Sequence, residues 1–265
     1  MNRRRSADSR SRARWLLALL PLAAIVAAAA VFLTHQATTP PPGCTVTDGT
    51  NSTDLETAQA ANAATIASVG ARLGLSDHAV TIALATAFQE SKLHNLPYGD
   101  RDSLGLFQQR PSQGWGTTAQ LLDPHYAATA FFQHLAKVPH WQTMPVADAA
   151  QAVQHSASGA AYAKWEAASR VIAQALTGEV AHGIACTYQT GKSPTGLQAA
   201  IADDLGSIGA TANVKAGWRA ASWLVAQAAE YSITTVTFDG QRWTRASGQW
   251  TKHPSPRTVA YTVHR

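Results

Sequence analysis

Beyond residue 54 the chain is organised by stretches in which apolar residues recur at helical spacing, separated by short polar breaks. The pattern predicts a helix over 56–73 that stops before Gly74, and a second helix, capped by Ser76 or Asp77, that runs to about Ser91. From Asp77 through Phe88 this second helix is apolar on nearly every face, as a helix buried in a core would be, until Glu90 interrupts it. Pro, Gly, Asn and Asp at short intervals make 92–115 a loop, with a turn or short strand over 104–109. Asp123 followed by Pro124 is an N-cap with proline at the first helical position, and it opens a helix to about Ala136. Helices over 146–154 and 160–176 complete a lobe of about 125 residues, enough for its own core.

After a Gly- and Thr-bearing connector, 197–205 and 214–231 read as helices, the second with Trp218, Leu224 and Val225 on its apolar face. The period then changes. Strands over 233–238 and 241–245 are split by Asp239-Gly240, a two-residue hairpin signal, and 249–252 and 258–263 add two more. The predicted fold class is α+β, with a mainly α-helical domain over 55–186, a connector over 187–196 and a small α+β domain over 197–265.

The first 54 residues follow other rules. Residues 1–14 carry six Arg against one Asp, and 15–33 hold no charged residue. Nineteen residues at the helical rise span about 28 Å, near the thickness of a hydrocarbon core. The segment is predicted to be a transmembrane helix, with the Arg-rich end 1–14 cytoplasmic and the C-terminal bulk extracellular. A cleavable signal peptide, with small-residue cleavage sites at Ala27 to Ala30, is the competing reading, and under either the remainder is exported. Residues 34–54, rich in Pro, Thr, Gly and Asn, are predicted to form an extracellular linker, not a folded element.

The formal net charge of +5 has the same origin. Residues 1–14 hold six of the 21 basic and one of the 16 acidic residues, which leaves fifteen of each beyond Arg14. The exported part is neutral, so the basic balance reports membrane topology and gives no foothold to nucleic acid binding. The two cysteines, Cys44 and Cys186, both lie beyond the apolar segment, and an oxidising exterior predicts one disulfide between them. Two free thiols, or lipidation at Cys44, are the alternatives; Pro41-Pro42-Gly43 is a poor lipid-attachment context.

A carboxylate at the end of an apolar helix is the chain's main chemical feature. Desolvation favours its neutral form, so Glu90 could hold a proton near neutrality and give it to a leaving oxygen. A Glu that simply marks the emergence of the helix into solvent is the plain alternative. Phe88-Gln89-Glu90-Ser91, followed fifteen residues after Glu90 by Gly105-Leu106-Phe107-Gln108 and then Pro111, resembles the Glu-Ser and Gly-Leu-Met-Gln signature of lytic transglycosylases in the lysozyme-like superfamily. Phe107 stands where the family usually has Met. The likeness covers about residues 57–180, and it also extends to goose-type lysozymes.

The resemblance implies a peptidoglycan-cleaving enzyme that breaks the β-1,4 bond between N-acetylmuramic acid and N-acetylglucosamine. One catalytic Glu suffices: Glu90 protonates the glycosidic oxygen, and the substrate's own N-acetyl group attacks the anomeric carbon. The resulting carboxylate then takes a proton from the 6-hydroxyl, giving an anhydro product, or activates water, giving hydrolysis. The resemblance carries over to Ser91 and Gln108 as residues that shape the site and hydrogen-bond the sugar or the carboxyl. Gln109 is an adjacent candidate. Family members carry a Tyr-Asn pair on a later helix, where this chain reads Ala152-Val153-Gln154-His155-Ser156. Gln154 is the stand-in for the amide, and the Tyr is absent unless Tyr162 supplies it from the next helix.

Tyr98, Trp115, Trp141 and Trp165 are candidate sugar-facing walls or core anchors. Asp100 and Asp102 are the nearest second carboxylates in sequence, but their Gly-Asp-Arg-Asp-Ser context reads as a turn. The mechanism requires no cofactor, and the ten His residues show no paired zinc spacing. Glycan strands of peptidoglycan and the membrane are the predicted partners. Trp243 and Trp250 in the C-terminal domain suit either a glycan, peptide-stem or protein ligand, or a small core. A hydrolysing lysozyme and a non-catalytic wall-binding scaffold are the alternatives to transglycosylation.

Overall fold

The computed structural model describes residues 41–154, 160–188, 195–211 and 213–264. The predicted cytoplasmic tail and transmembrane segment lie outside them, and no helix among the described residues is long and apolar enough to cross a membrane. The fold is α+β: nine α-helices and two small antiparallel sheets among the described residues.

Its centre is the apolar helix that the sequence pattern marks out. With α1 as Thr57–Arg72 and α2 as Asp77–Ser91, α2 buries eleven of its fifteen residues, from Ala79 through Phe88 and again at Ser91. It is walled by α1, by α4 (Pro124–Leu135), by α5 (Val146–Gln154) and most extensively by α7 (Glu166–Thr177). Small residues make this possible: the Ala-rich faces of α1, α2 and α7 allow close helix packing around Ile66, Ile82, Leu84 and Ile172, all fully buried. Asp123 caps α4 as its sequence predicts, with the carboxylate accepting from the His125 amide and Pro124 at the first position. A four-residue helix, α3 (Thr118–Leu121), precedes it and was invisible to the periodicity because it is only one turn long.

The predicted linker is partly sheet. Strands β1 (Gly43–Thr47) and β2 (Ser52–Leu55) pair through a turn in which Asp48 accepts from the Thr50 and Asn51 amides. β1 also pairs with β3 (Ile184–Thr187), which lies at the end of the predicted helical domain and the start of the predicted connector, giving the order β2-β1-β3. A polar composition concealed this because only alternate positions are apolar: Cys44, Val46 and Leu55 point inward and their neighbours outward. Cys44 and Cys186 are register partners across the pair and form the disulfide.

The predicted helix over 160–176 is two helices, α6 (Ala160–Ala163) and α7, broken at Lys164-Trp165. The helix predicted to reach residue 231 ends earlier, as α9 (Val214–Ala226), after α8 (Leu197–Leu205). The strands beyond follow the sequence closely: β4 (Ile233–Phe238), β5 (Gln241–Thr244), β6 (Trp250–Lys252) and β7 (Ala260–Val263), in the order β6-β5-β4-β7. Asp239 and Gly240 both take positive φ, the geometry the hairpin signal calls for.

Residues 41–265 form one compact unit. The C-terminal sheet is fastened to the first one: the Trp243 indole donates to the Cys186 carbonyl and the Trp250 indole to the Ile184 carbonyl, both on β3. Trp243 is fully buried, with Tyr188 edge-on to its ring. Trp218 of α9 meets Phe238 and Trp250 edge-on. These indoles fill the core between α9 and the two sheets, and the N–H groups of Trp243 and Trp250 satisfy strand carbonyls.

Candidate functional site

Glu90 lies on the last turn of α2, and the chain leaves that turn through an unusual bend. Lys92 and Leu93 both adopt left-handed backbone conformations, with φ of 56° and 61°. Each such residue other than glycine costs roughly 1–2 kcal/mol, so the bend must be held from outside. Two side chains of α1 hold it: Gln59 donates to the Lys92 carbonyl at 2.8 Å and Asn62 to the Leu93 carbonyl at 2.7 Å. Lys92 is the left-handed C-cap of α2, and the Leu93 amide reaches back to the Ala87 carbonyl at 3.1 Å, so this is also a Schellman-type helix end.

Ser91 is buried, and its hydroxyl donates to the Leu106 carbonyl at 2.7 Å. That bond joins the end of α2 to the Gly105-Leu106-Phe107-Gln108 segment. Gln154, at the end of α5, donates its amide to the next carbonyl, that of Phe107, at 2.7 Å. The segment is thus held by both side chains through its main chain, while Phe107 anchors it by stacking on Phe131 in the core. Gly105 has φ of 76°, and a Cβ there would sit 2.2 Å from the Leu121 carbonyl oxygen. Only glycine fits both the conformation and the close approach.

Tyr162 of α6, fully buried, donates its hydroxyl to Glu90 Oε1 at 2.7 Å. The helix break that follows brings Trp165 against the same end of α2. Its indole donates to Gln89 Oε1 at 3.0 Å and its ring stacks on Phe88 at 5.1 Å between centroids. The ammonium groups of Lys92 and Lys164 stand 4.5 and 5.3 Å from the Trp165 ring centroid. Partial burial lowers the Lys92 pKa and the charge of Lys164 lowers it further, while Glu90 acts in the opposite direction. Glu90 is half-buried; its carboxylate accepts from the Tyr162 phenol, and the charge of Lys92 lies near enough to interact with it.

The other predicted residues are placed differently. Gln108 folds its amide back onto the carbonyls of Tyr98 and Gly105, both at 3.2 Å, and braces the loop. Gln109 is buried and donates to Ala127 on α4, so its side chain faces the core. Tyr98 is 67% exposed. Trp115 packs on His134, with ring centroids 3.9 Å apart, and its carbonyl accepts from Tyr126. Trp141 is a core residue beside His78. His155 and Ser156 lie outside the described residues.

Asp102 does not serve as a free second carboxylate. It accepts from Arg110 Nε at 2.7 Å and from the Ser112 amide at 2.8 Å, and these bonds, the guanidinium first, hold its carboxyl well below the usual range. Among the described residues no group of three or more His, Cys, Asp or Glu is gathered as a metal site. Sequence reasoning gave no weight to Lys92, Gln59 or Asn62. Nothing in the residue types announces a left-handed turn at Lys92-Leu93, and the polar pair at i, i+3 on α1 looks like an ordinary helix face.

No protein-family model matches the chain, and no curated protein matches it.

Proposed function

We propose that the chain cleaves peptidoglycan at the β-1,4 bond between N-acetylmuramic acid and N-acetylglucosamine, as a lytic transglycosylase with Glu90 as its single acid and base. The observation that carries this reading is the convergence on Glu90: a buried phenol on one carboxylate oxygen, and the motif at Gly105 to Gln108 locked to the adjacent residue through Ser91. It is supported by the motif spacing and by the engagement of Asp102 elsewhere, which suits a one-carboxylate mechanism.

Tyr162 donates to Oε1, so the acidic proton belongs on Oε2. From there it passes to the glycosidic oxygen as the bond to the anomeric carbon breaks and the substrate's N-acetyl oxygen forms its own bond to that carbon. Glu90, now a carboxylate, then removes the proton of the 6-hydroxyl as that oxygen displaces the acetamido group, closing the anhydro ring. Tyr162 stabilises the carboxylate in the interval. Lys92 and Lys164, gathered over the Trp165 ring at the same end of α2, place two cations where they suit a sugar carrying an acidic substituent.

A membrane-anchored enzyme with its bulk outside the cell completes the proposal, in keeping with the disulfide between Cys44 and Cys186. The test is release of soluble muropeptides from purified peptidoglycan by the full chain and by Glu90→Gln, with product masses recorded. Anhydro products that vanish in the variant are the expected result. Products one water heavier would make the enzyme a hydrolysing lysozyme, and wall binding without release from either protein would make it a scaffold.

A further inference from the structure

Two cations stand at the Glu90 end of α2 without a counter-ion of their own. The ammonium groups of Lys92 and Lys164 lie 4.5 and 5.3 Å from the centroid of one indole ring, that of Trp165, and so within about 10 Å of each other. That is roughly one Debye length at 0.1 M salt, so their repulsion is only partly screened. Accordingly, the charge of Lys164 adds to burial in lowering the Lys92 pKa. The ring that gathers them is fixed: its N–H donates to Gln89 Oε1 at 3.0 Å and it stacks on Phe88. Lys92 is held further, because its ammonium donates to the Phe88 carbonyl at 3.1 Å, which leaves two of its three donors for a ligand.

Among the described residues neither lysine forms an ion pair with a carboxylate. Glu166, next to Trp165 in sequence, is taken by Arg170 at 2.6 Å. Glu90 is the acid whose charge favours the Lys92 ammonium, and its carboxylate accepts from Tyr162. A general acid must carry its proton when the substrate arrives, so in the proposed mechanism even that negative charge is withdrawn at the moment of binding. The counter-charge is then left for the substrate to supply. Both lysines are exposed, which suits a substituent projecting from a glycan strand more than a sugar hydroxyl buried in a cleft.

We propose that Lys92 and Lys164 are specificity-determining residues that receive a carboxylate borne by the lactyl arm of the muramyl residue, on the arm itself or on the peptide attached to it, so that the enzyme selects acidic strands over neutral ones. The proposal rests on the reading of Glu90 as the acid, which puts the scissile bond at this end of α2. It is tested by isothermal titration calorimetry of the full chain carrying Glu90→Gln, which prevents turnover. The probes are the N-acetylglucosamine tetramer, the alternating muramyl tetrasaccharide without peptide, the same tetrasaccharide with its stem peptides, and that last compound with every carboxyl converted to a methylamide. The peptide-bearing acid binds about tenfold more tightly than its methylamide. Lys92→Gln with Lys164→Gln removes the difference, whereas Lys92→Arg with Lys164→Arg keeps it. A preference for the peptide-free muramyl compound over the N-acetylglucosamine tetramer places the carboxylate on the lactyl arm, and a preference that appears only with the stem places it on the peptide. Circular dichroism checks the fold of the variants, and the comparison of acid with methylamide decides the matter without them. Equal binding of acid and methylamide, or an acid preference that survives the paired Gln substitutions, overturns the proposal and leaves the role of Glu90 standing. Binding of none of the probes overturns it too, and muropeptide release by the parent against Glu90→Gln shows whether the reading of Glu90 falls with it.

Discussion

The hydroxyl of Tyr162 donates to the Glu90 carboxylate at 2.7 Å, although the two residues are 72 positions apart and lie on different helices. A hydrogen bond to a charged group contributes about 1.5–3 kcal/mol. If Tyr162 fixes and stabilises the working carboxylate, Tyr162→Phe slows muropeptide release by roughly 10- to 150-fold while leaving the ring packing intact. The rate is to be read beside the unfolding midpoint and wall binding. A Tyr162→Phe protein that is fully active would remove Tyr162 from the mechanism.

Ser91 offers a structural test of the same site. Its hydroxyl satisfies the buried Leu106 carbonyl, and Ser91→Ala leaves that carbonyl without its partner at a cost of about 1–3 kcal/mol. For a chain of this size each kcal/mol lowers the melting temperature by roughly 2–4 °C. Gly105→Ala is expected to do worse, because the added Cβ meets the Leu121 carbonyl oxygen and the backbone has positive φ. Melting curves of both variants, with Gly105→Ala the less stable, check the ranking.

Much of the frame was legible because helical periodicity and cap residues are local signals. The buried α2, the Asp123-Pro124 start of α4 and the Asp239-Gly240 hairpin all follow from neighbours within a few residues. β1 and β2 were not legible: their apolar positions are few, and β1, on which β2 pairs, is itself fixed by pairing with β3, more than 130 residues away. The break between α6 and α7 was hidden for a related reason. Ala160 to Ala173 is good helix-forming sequence, and tertiary contacts of Trp165 with Phe88 and Gln89 override it. Among the candidate residues, Tyr162, which the sequence offers as a possible replacement for the missing Tyr, does reach Glu90, whereas Gln109, the adjacent candidate, turns into the core. Adjacent glutamines have the same composition signal, and only the turn at Gln108, with φ of 48°, decides that Gln109 points to Ala127.

The disulfide ties β1 to β3 and spans a sequence separation of 142 residues. On chain-entropy grounds, closing a loop of that length stabilises by about 5 kcal/mol at most. The double variant Cys44→Ala, Cys186→Ala should therefore unfold at distinctly lower denaturant concentration than the oxidised protein. Adding a reductant should lower the midpoint of the parent and leave that of the double variant unchanged. A parent protein indifferent to reduction would mean that the β1–β3 pairing and the indole bonds of Trp243 and Trp250 hold this edge unaided.

A buried polar junction makes the last prediction, because it gives stability a pH dependence. Asp204, at the end of α8 and almost fully buried, accepts from Ser68 of α1 at 2.6 Å and from the Trp223 indole of α9 at 2.8 Å, and it pairs with His125 Nε2 of α4 at 2.7 Å. One carboxylate thus joins four helices. The hydrogen bond that His125 donates to Asp204 raises the His125 pKa first; burial opposes it, and the charges of Asp204, Asp123 and Asp203 add to the rise. The imidazolium is favoured in the folded state, so its contribution is fully present below the unfolded value of about 6.5 and is lost as pH rises through the higher folded value. Denaturant midpoints measured from pH 5.5 to 8.5 should fall with rising pH above about 6.5, and the fall should be shallower in His125→Gln. The imidazole is partly exposed, so salt should flatten the slope as well. Identical pH profiles for parent and variant would show that the Asp204 junction is held by Ser68 and Trp223 without help from the charge on His125.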